Sequence, residues 1–90
     1  MKDFEWDQNK REHNLQKHGI DFIDGIEIFD DSDRIECEST RNGETRFLTI
    51  GCVNDIVLLL VYIQRGAKRR IISVRRASKN ERQAYEQAKE

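Results

Sequence analysis

The chain has 90 residues, of which 37% are hydrophobic and 37% charged, with no proline and a formal net charge of −1. That length suits one domain with a modest core, and the longest apolar run, residues 56–63, is too short to span a bilayer. Two cysteines without CxxC or Cys/His spacing exclude a zinc framework, and the lack of a basic-then-apolar leader makes the cytosol the expected location.

The near-zero net charge hides a strong asymmetry. Residues 1–40 hold five Lys/Arg against twelve Asp/Glu, whereas residues 65–82 hold eight Lys/Arg against Glu81 alone. Such a distribution points to a localised basic patch on a neutral protein. Its structural alternative is that the acidic half folds against the basic half and neutralises it.

In chain order, Phe4-Glu5-Trp6 alternates and is bounded by Asp7, so it reads as a short strand. Asp7 caps a helix that carries Lys17-His18 in its last turn and stops at Gly19. Asp21 starts a second helix, with Phe22, Ile26 and Phe29 at i, i+4, i+7, which ends in the acidic turn 30–33. Residues 34–39 and 44–53 flank Asn42-Gly43, a strong hairpin signal. A two-residue turn there pairs Arg41 with Glu44, Ser39 with Arg46 and Cys37 with Leu48. Both cysteines are expected as reduced small core residues, and this register keeps them apart.

Asn54-Asp55 turns the chain again, into residues 56–63, apolar on both faces and hence a central strand. A two-residue turn would pair Ile50 with Leu59, Leu48 with Val61, Arg46 with Ile63 and Glu44 with Arg65. Gly66 leads into RRIISVRR, residues 69–76. If that strand alternates regularly, Arg70, Ile72, Val74 and Arg76 share one face, while Arg69, Ile71, Ser73 and Arg75 share the other. Ser78 and Glu81 form a capping box for a last helix running to about Lys89, with Ala84, Tyr85 and Ala88 as its inner side. The fold class is α+β, in the order βααββββα: a mostly antiparallel sheet packed with helices.

Several groups could carry chemistry. Glu44 and Arg46 share a strand face, and Arg65 across the ladder would place one carboxylate between two guanidiniums. Such a carboxylate stays ionised and can accept a proton, and the guanidiniums can bind phosphate bidentately. An ordinary cross-strand ion pair gives the same pattern. His13 and His18, five apart, do not share a helix face as metal ligands would, so no metal is expected. His18 sits at a helix C-terminus, where the dipole favours its protonated form and a role as acid. Tyr85 is either a hydroxyl donor or a core residue. Six of the eight basic residues between Arg65 and Arg82 are arginine, which suits planar phosphate recognition. No Walker motif, Gly-rich phosphate loop or Ser-His-Asp order is present.

Phe4-Glu5-Trp6-Asp7, Lys10, Asn14, Lys17-His18-Gly19-Ile20-x-Phe22, Phe29-x-Asp31, Gly43-Glu44-x-Arg46, Gly51, Arg70-Ile71-Ile72-Ser73-x-Arg75-x-Ala77-Ser78 and Glu81-Arg82-x-x-Tyr85 together resemble the BrnT family. Its members are ribonuclease toxins of type II toxin–antitoxin modules, with a fold similar to RelE-type toxins. The resemblance implies an RNA-cleaving toxin that blocks translation and is neutralised by a ribbon-helix-helix antitoxin. Promoter DNA would be bound only by the toxin–antitoxin complex. Gly25 stands where the family more often has Ala, and Val74 where a small residue is usual. Gly25 should cost its helix about 1 kcal/mol relative to Ala.

Metal-free RNA cleavage must position the strand, move two protons and neutralise charge on the phosphorane. The expected catalytic set is Glu44 as base, His18 as acid, Arg46, Arg70 and Arg75 on the phosphate, and Tyr85 in support. Lys17, Arg65, Lys79 and Arg82 are expected RNA contacts, with no cofactor. The competing readings are a nucleic-acid-binding module without turnover and a protein-interaction domain with a basic face.

Overall fold

In the computed structural model, which describes residues 3–89, β1 (Phe4–Trp6) turns at once into α1 (Gln8–His18). The Asp7 carboxylate accepts from the N–H groups of Asn9 and Lys10, and Gly19 ends the helix in the left-handed region at φ 71°. Asp21 caps α2 (Phe22–Gly25) by accepting from the Ile23 N–H, and holds Arg11 of α1 at 2.7 Å. The second helix is much shorter than its spacing predicts. After one turn it tightens into a 3-10 segment, Ile26–Asp30, which buries Ile26 and Ile28 and leaves Phe29 only partly covered.

Close packing accounts for the glycine at the end of α2. A Cβ on Gly25 would stand 2.8 Å from both Val74 methyl carbons. Gly25 and Val74 therefore face each other, the small residue making room for the larger. Helix propensity is lost at Gly25, and a fully buried Val74 is gained.

Five strands follow the order β1-β5-β4-β3-β2. They are β2 (Ile35–Arg41), β3 (Glu44–Val53), β4 (Ile56–Arg65) and β5 (Lys68–Arg76), all antiparallel to their neighbours except β1, which joins β5 in parallel. Both two-residue turns form as the sequence implies. Arg41 pairs with Glu44 across Asn42-Gly43, and Val53 with Ile56 across Asn54-Asp55, whose φ values of 50° and 67° are the left-handed pair such a hairpin needs. The β3–β4 ladder includes Ile50↔Leu59 and Leu48↔Val61 but runs no further than Phe47↔Tyr62, so Glu44 and Arg65 stand beyond it.

Central β4 is apolar on both faces because both are used. Leu58, Leu60 and Tyr62 meet Phe22, Ile26, Ile28, Ile71 and Val74 beneath α1, α2 and the 3-10 segment. On the other face Leu59 and Ile50 meet Ala77 and Tyr85 of the closing segment, which includes α3 (Lys79–Ala88). The Ser78–Glu81 capping box is complete. Within α3 only Tyr85 is buried. Ala84 and Ala88, expected on the inner side, are exposed, because Tyr85 alone of this short helix is buried against the sheet. Cys37 is likewise exposed, on the edge strand β2, and not in the core.

The regular alternation expected of RRIISVRR does not hold. Val61 pairs with Ser73, but the next residue, Tyr62, pairs with Ile71, leaving Ile72 as an extra residue on β5. This bulge reverses the facing of everything on one side of it. Arg70, Ser73 and Arg75 now lie on the face of Ile63, Val61 and Leu59, while Arg69, Ile71, Val74 and Arg76 lie on the other. Arg70 and Arg75, which the alternation would separate, share one surface.

Candidate nucleic-acid interface

The face on which α3 packs is only half covered. Beyond the Ile50–Leu59–Arg75 row under the helix, the ladders line up Cys37, Leu48, Val61 and Ser73 across the four antiparallel strands. Next come Ser39 and Arg46 on β2–β3, with Ile63, Arg70 and Glu5 on β4, β5 and β1. Arg41, Glu44, Arg65 and Lys68 close the far end. The result is a narrow apolar floor with a basic margin. A depression of about 540 Å³ lies over β2–β4, lined among others by Arg41, Glu44, Arg46, Leu48 and Val61.

Each arginine of this surface is held differently. Arg46 Nε donates to Glu44 Oε1 at 3.1 Å with both side chains about half exposed, so its two terminal nitrogens remain available. Arg70 Nη1 donates to Glu5 Oε2 at 2.8 Å, linking β5 to β1. Arg75 is committed most heavily: its two terminal nitrogens grip both Glu81 oxygens at 2.8 and 2.9 Å, and Nη1 also reaches the Arg76 carbonyl. The Arg75 bonds hold the Glu81 carboxyl far down, at about 2, against some opposition from burial and with help from the Ser78 N–H. Arg75 therefore aims α3 at the sheet and keeps Nε and one Nη2 hydrogen uncommitted.

The partly open edge of β5 is finished by α1. Beyond β1, the Asn14 side chain accepts from the Val74 N–H at 3.0 Å and donates to the Val74 and Ile20 carbonyls, each at 2.9 Å. A buried amide thus substitutes for one residue of a neighbouring strand. Beside it lies a second depression of about 360 Å³, with Ile72 and Ser73 as floor and Lys10, His13, Lys17 and His18 as wall. Leu48 and Val61 of the first depression and Ser73 of the second stand in one row across the sheet.

The expected site residues therefore divide into groups. Glu44, Arg46, Arg70 and Arg75 share the open face, with Arg65 at its end. Lys17 and His18 stand on the α1 rim, separated from Glu44 by the width of β3, β4 and β5, and adjacent strands lie ~4.8 Å apart. His13, which the five-residue spacing sets apart from His18, lines the same groove. Lys79 is exposed and Arg82 donates to the Ala77 carbonyl, and neither lines either of these two depressions. Tyr85 is 2% exposed and donates to Asp31 Oδ2 at 2.5 Å. Burial, then that carboxylate, push its hydroxyl well above the ordinary tyrosine range. Burial alone would raise Asp31, but bonds from Tyr85, Cys52 N–H and Asp33 N–H outweigh it and leave Asp31 lowered.

Sequence reading missed Arg41 and Ser73 as members of this surface. The adjacent apolar pair Ile71-Ile72, which interrupts strict alternation, was the available sign of the bulge, and Lys10, His13 and Lys17 at i, i+3, i+7 were the sign of the groove. Among the described residues no group of three or more His, Cys, Asp and Glu is placed to hold a metal ion, and no helix is long and apolar enough to cross a membrane.

No curated protein matches the chain at a significant level. The family model for the ribonuclease toxin BrnT of type II toxin–antitoxin systems matches residues 6–81, from the end of β1 into α3. With that match across most of its length, the chain belongs to the BrnT family of ribonuclease toxins.

Proposed function

We propose that this toxin is a metal-independent endoribonuclease that cleaves single-stranded RNA and so blocks translation in the cytoplasm. A ribbon-helix-helix antitoxin neutralises it, and promoter DNA is engaged only through that complex. The observation that carries the reading is the Ile72 bulge, which puts Arg70 and Arg75 on the face that holds Glu44 and Arg46. An RNA strand crossing this face meets guanidiniums suited to phosphate and an apolar floor, Leu48 and Val61, for its bases.

In the reaction the 2′-oxygen bonds to the adjacent phosphorus while the bond from phosphorus to the 5′-oxygen breaks. A base takes the 2′-hydroxyl proton and an acid supplies one to the departing 5′-oxygen, leaving a cyclic phosphate and a free 5′-hydroxyl. The donor set supports chemistry without a divalent ion, since arginines rather than clustered carboxylates surround the path. Arg46 and Arg70, each with unused guanidinium donors, are assigned to the phosphates, with Arg75 behind them. Tyr85 is left out of the chemistry, its hydroxyl being spent on Asp31. Glu44 and His18, expected as base and acid, stand on opposite rims of the sheet and do not meet over one phosphate.

Purified protein incubated with single-stranded RNA and excess EDTA should yield fragments ending in cyclic phosphate. Arg46→Gln and Arg70→Gln should each lower the rate by ~10-fold or more, as loss of a charge-assisted contact implies. Fragments that vanish with EDTA would remove metal independence; RNA left whole at every enzyme concentration would remove the ribonuclease reading of this copy.

A further inference from the structure

Glu44 and His18 are too far apart across the sheet to serve one phosphate. The groove between α1 and β5 holds a more complete set of groups. Two imidazoles, His13 and His18, two ammoniums, Lys10 and Lys17, and the Ser73 hydroxyl all belong to residues that line it. Among the described residues none of the two histidines and two lysines has a carboxylate partner. Glu12, the nearest acid in sequence, stands on the far side of the helix, about 200° round from Lys10 at 100° per residue.

The geometry of α1 explains why all four reach one groove. Asn14 is pinned to the Val74 backbone, which fixes the roll of the helix. Lys10, Lys17 and His13 then fall on one side of Asn14, and His18 lies one turn beyond it. The bulge supplies the opposite wall, since it turns Ser73 toward the groove and sets Arg70 and Arg75 on either side of it along β5.

We propose, on the ribonuclease reading above, that the reacting phosphate lies in this groove, with His13 and His18 as its proton-transfer pair. His13 takes the proton of the 2′-hydroxyl as the 2′-oxygen bonds to phosphorus. His18, in the last helical turn, gives its proton to the 5′-oxygen as that bond to phosphorus breaks. Lys10 and Lys17 bind the phosphorane oxygens, and Ser73 orients the phosphate. The Glu44–Arg46 depression then holds a flanking part of the strand, which crosses the sheet along Leu48–Val61–Ser73. Glu44 changes from a base to a residue at the entry of the substrate path.

The test compares His13→Gln and Glu44→Gln, at exposed positions, with His18→Gln, at a half-buried one, after thermal denaturation confirms that each is folded. Two measurements are needed: cleavage of single-stranded RNA, and binding of the same RNA 2′-O-methylated throughout so that it cannot be cut. Each histidine variant should lose ~100-fold or more in kcat while binding the methylated RNA within about threefold of the parent. Glu44→Gln should act mainly on KM. Lys10→Gln with Lys17→Gln should flatten the dependence of log K on log salt by about 1.4, the value for two contacts to a single strand. Retention of kcat in His13→Gln, or its loss in Glu44→Gln, would overturn the assignment and return the chemistry to the β3 end. If the parent protein cuts no RNA, the ribonuclease reading falls and this assignment with it. A salt dependence unchanged by the lysine replacements would remove the groove from the RNA path.

Discussion

The two faces of the sheet are built from the same strands and reach opposite ends. One face is sealed by α1, α2 and the 3-10 segment. It carries an aromatic chain in which Phe4 meets Phe29, Phe29 meets Tyr62 edge-on and Phe47 stacks on Tyr62. Arginines on this face are enlisted in packing too, with the Arg69 and Arg34 guanidiniums 4.1 and 4.9 Å from the Phe29 ring centroid. The other face has one helix resting on one tyrosine, and its arginines hold carboxylates at the surface. Stability is concentrated on the first face, and the second is the one on which we propose the chemistry. β4 serves both, turning Leu58, Leu60 and Tyr62 one way and Leu59, Val61 and Ile63 the other.

That contrast can be broken most forcefully at Leu60, which is fully buried on the sealed face. Leu60→Ala should cost about 3 kcal/mol in urea denaturation, while Val61→Ala, its neighbour on the open face, should cost about 1 kcal/mol. Equal losses would mean that the two faces contribute alike.

The next effect lies where α2 meets β5. Gly25→Ala forces a methyl against Val74 and should destabilise by about 2 kcal/mol, despite the better helix propensity of alanine. Combined with Val74→Ala, the same methyl enters vacated space. The double variant should therefore be about 2 kcal/mol more stable than the sum of the single ones predicts, and strict additivity would refute the size exchange.

A smaller effect concerns the anchor of α3. The folded-state value of Glu81, about 2, lies below its ordinary 4.5. Its contribution is therefore whole above pH 4.5 and is lost as the pH falls toward 2. With Glu81 and Arg75 side chains 25% and 38% exposed, solvent screening holds this to about 1 kcal/mol. Glu81→Gln should lower the neutral-pH midpoint and show a shallower decline over that acid range.

The smallest change in stability is expected at Arg46→Gln, below about 0.5 kcal/mol, because its pair with Glu44 is exposed. Activity should nonetheless fall in that variant, and a stable but slower enzyme would mark the open face as functional.

Local chemistry in the sequence carried much of the fold. Asn42-Gly43, Asn54-Asp55, the Asp7 cap, Gly19 and the Ser78–Glu81 box each act over a few residues, so their identities suffice to place the turns and helix ends. The exposure of Ala84 and Ala88 was not legible, because how far α3 leans on the sheet depends on contacts between distant segments. The bulge escaped for a related reason. Alternation gives the facing of a strand only up to an unknown offset, and the offset on β5 is set by where Ser73 and Ile71 meet β4. The site suffered most from this. Its arginines could be named from the sequence, but their common surface could not, and His13 looked separate from His18 until the helix had a neighbour.

Asn14 links fold and site in one side chain. Its amide reads the Val74 peptide as a key reads a lock, and α1 can satisfy both bonds at only one rotation about its axis. A helix rolled by a single residue would sweep its cations about 100° away from the bulge. The two hydrogen bonds that close the edge of the sheet are thus also its aiming device. Asn14→Leu should consequently misdirect the groove as well as loosen the fold.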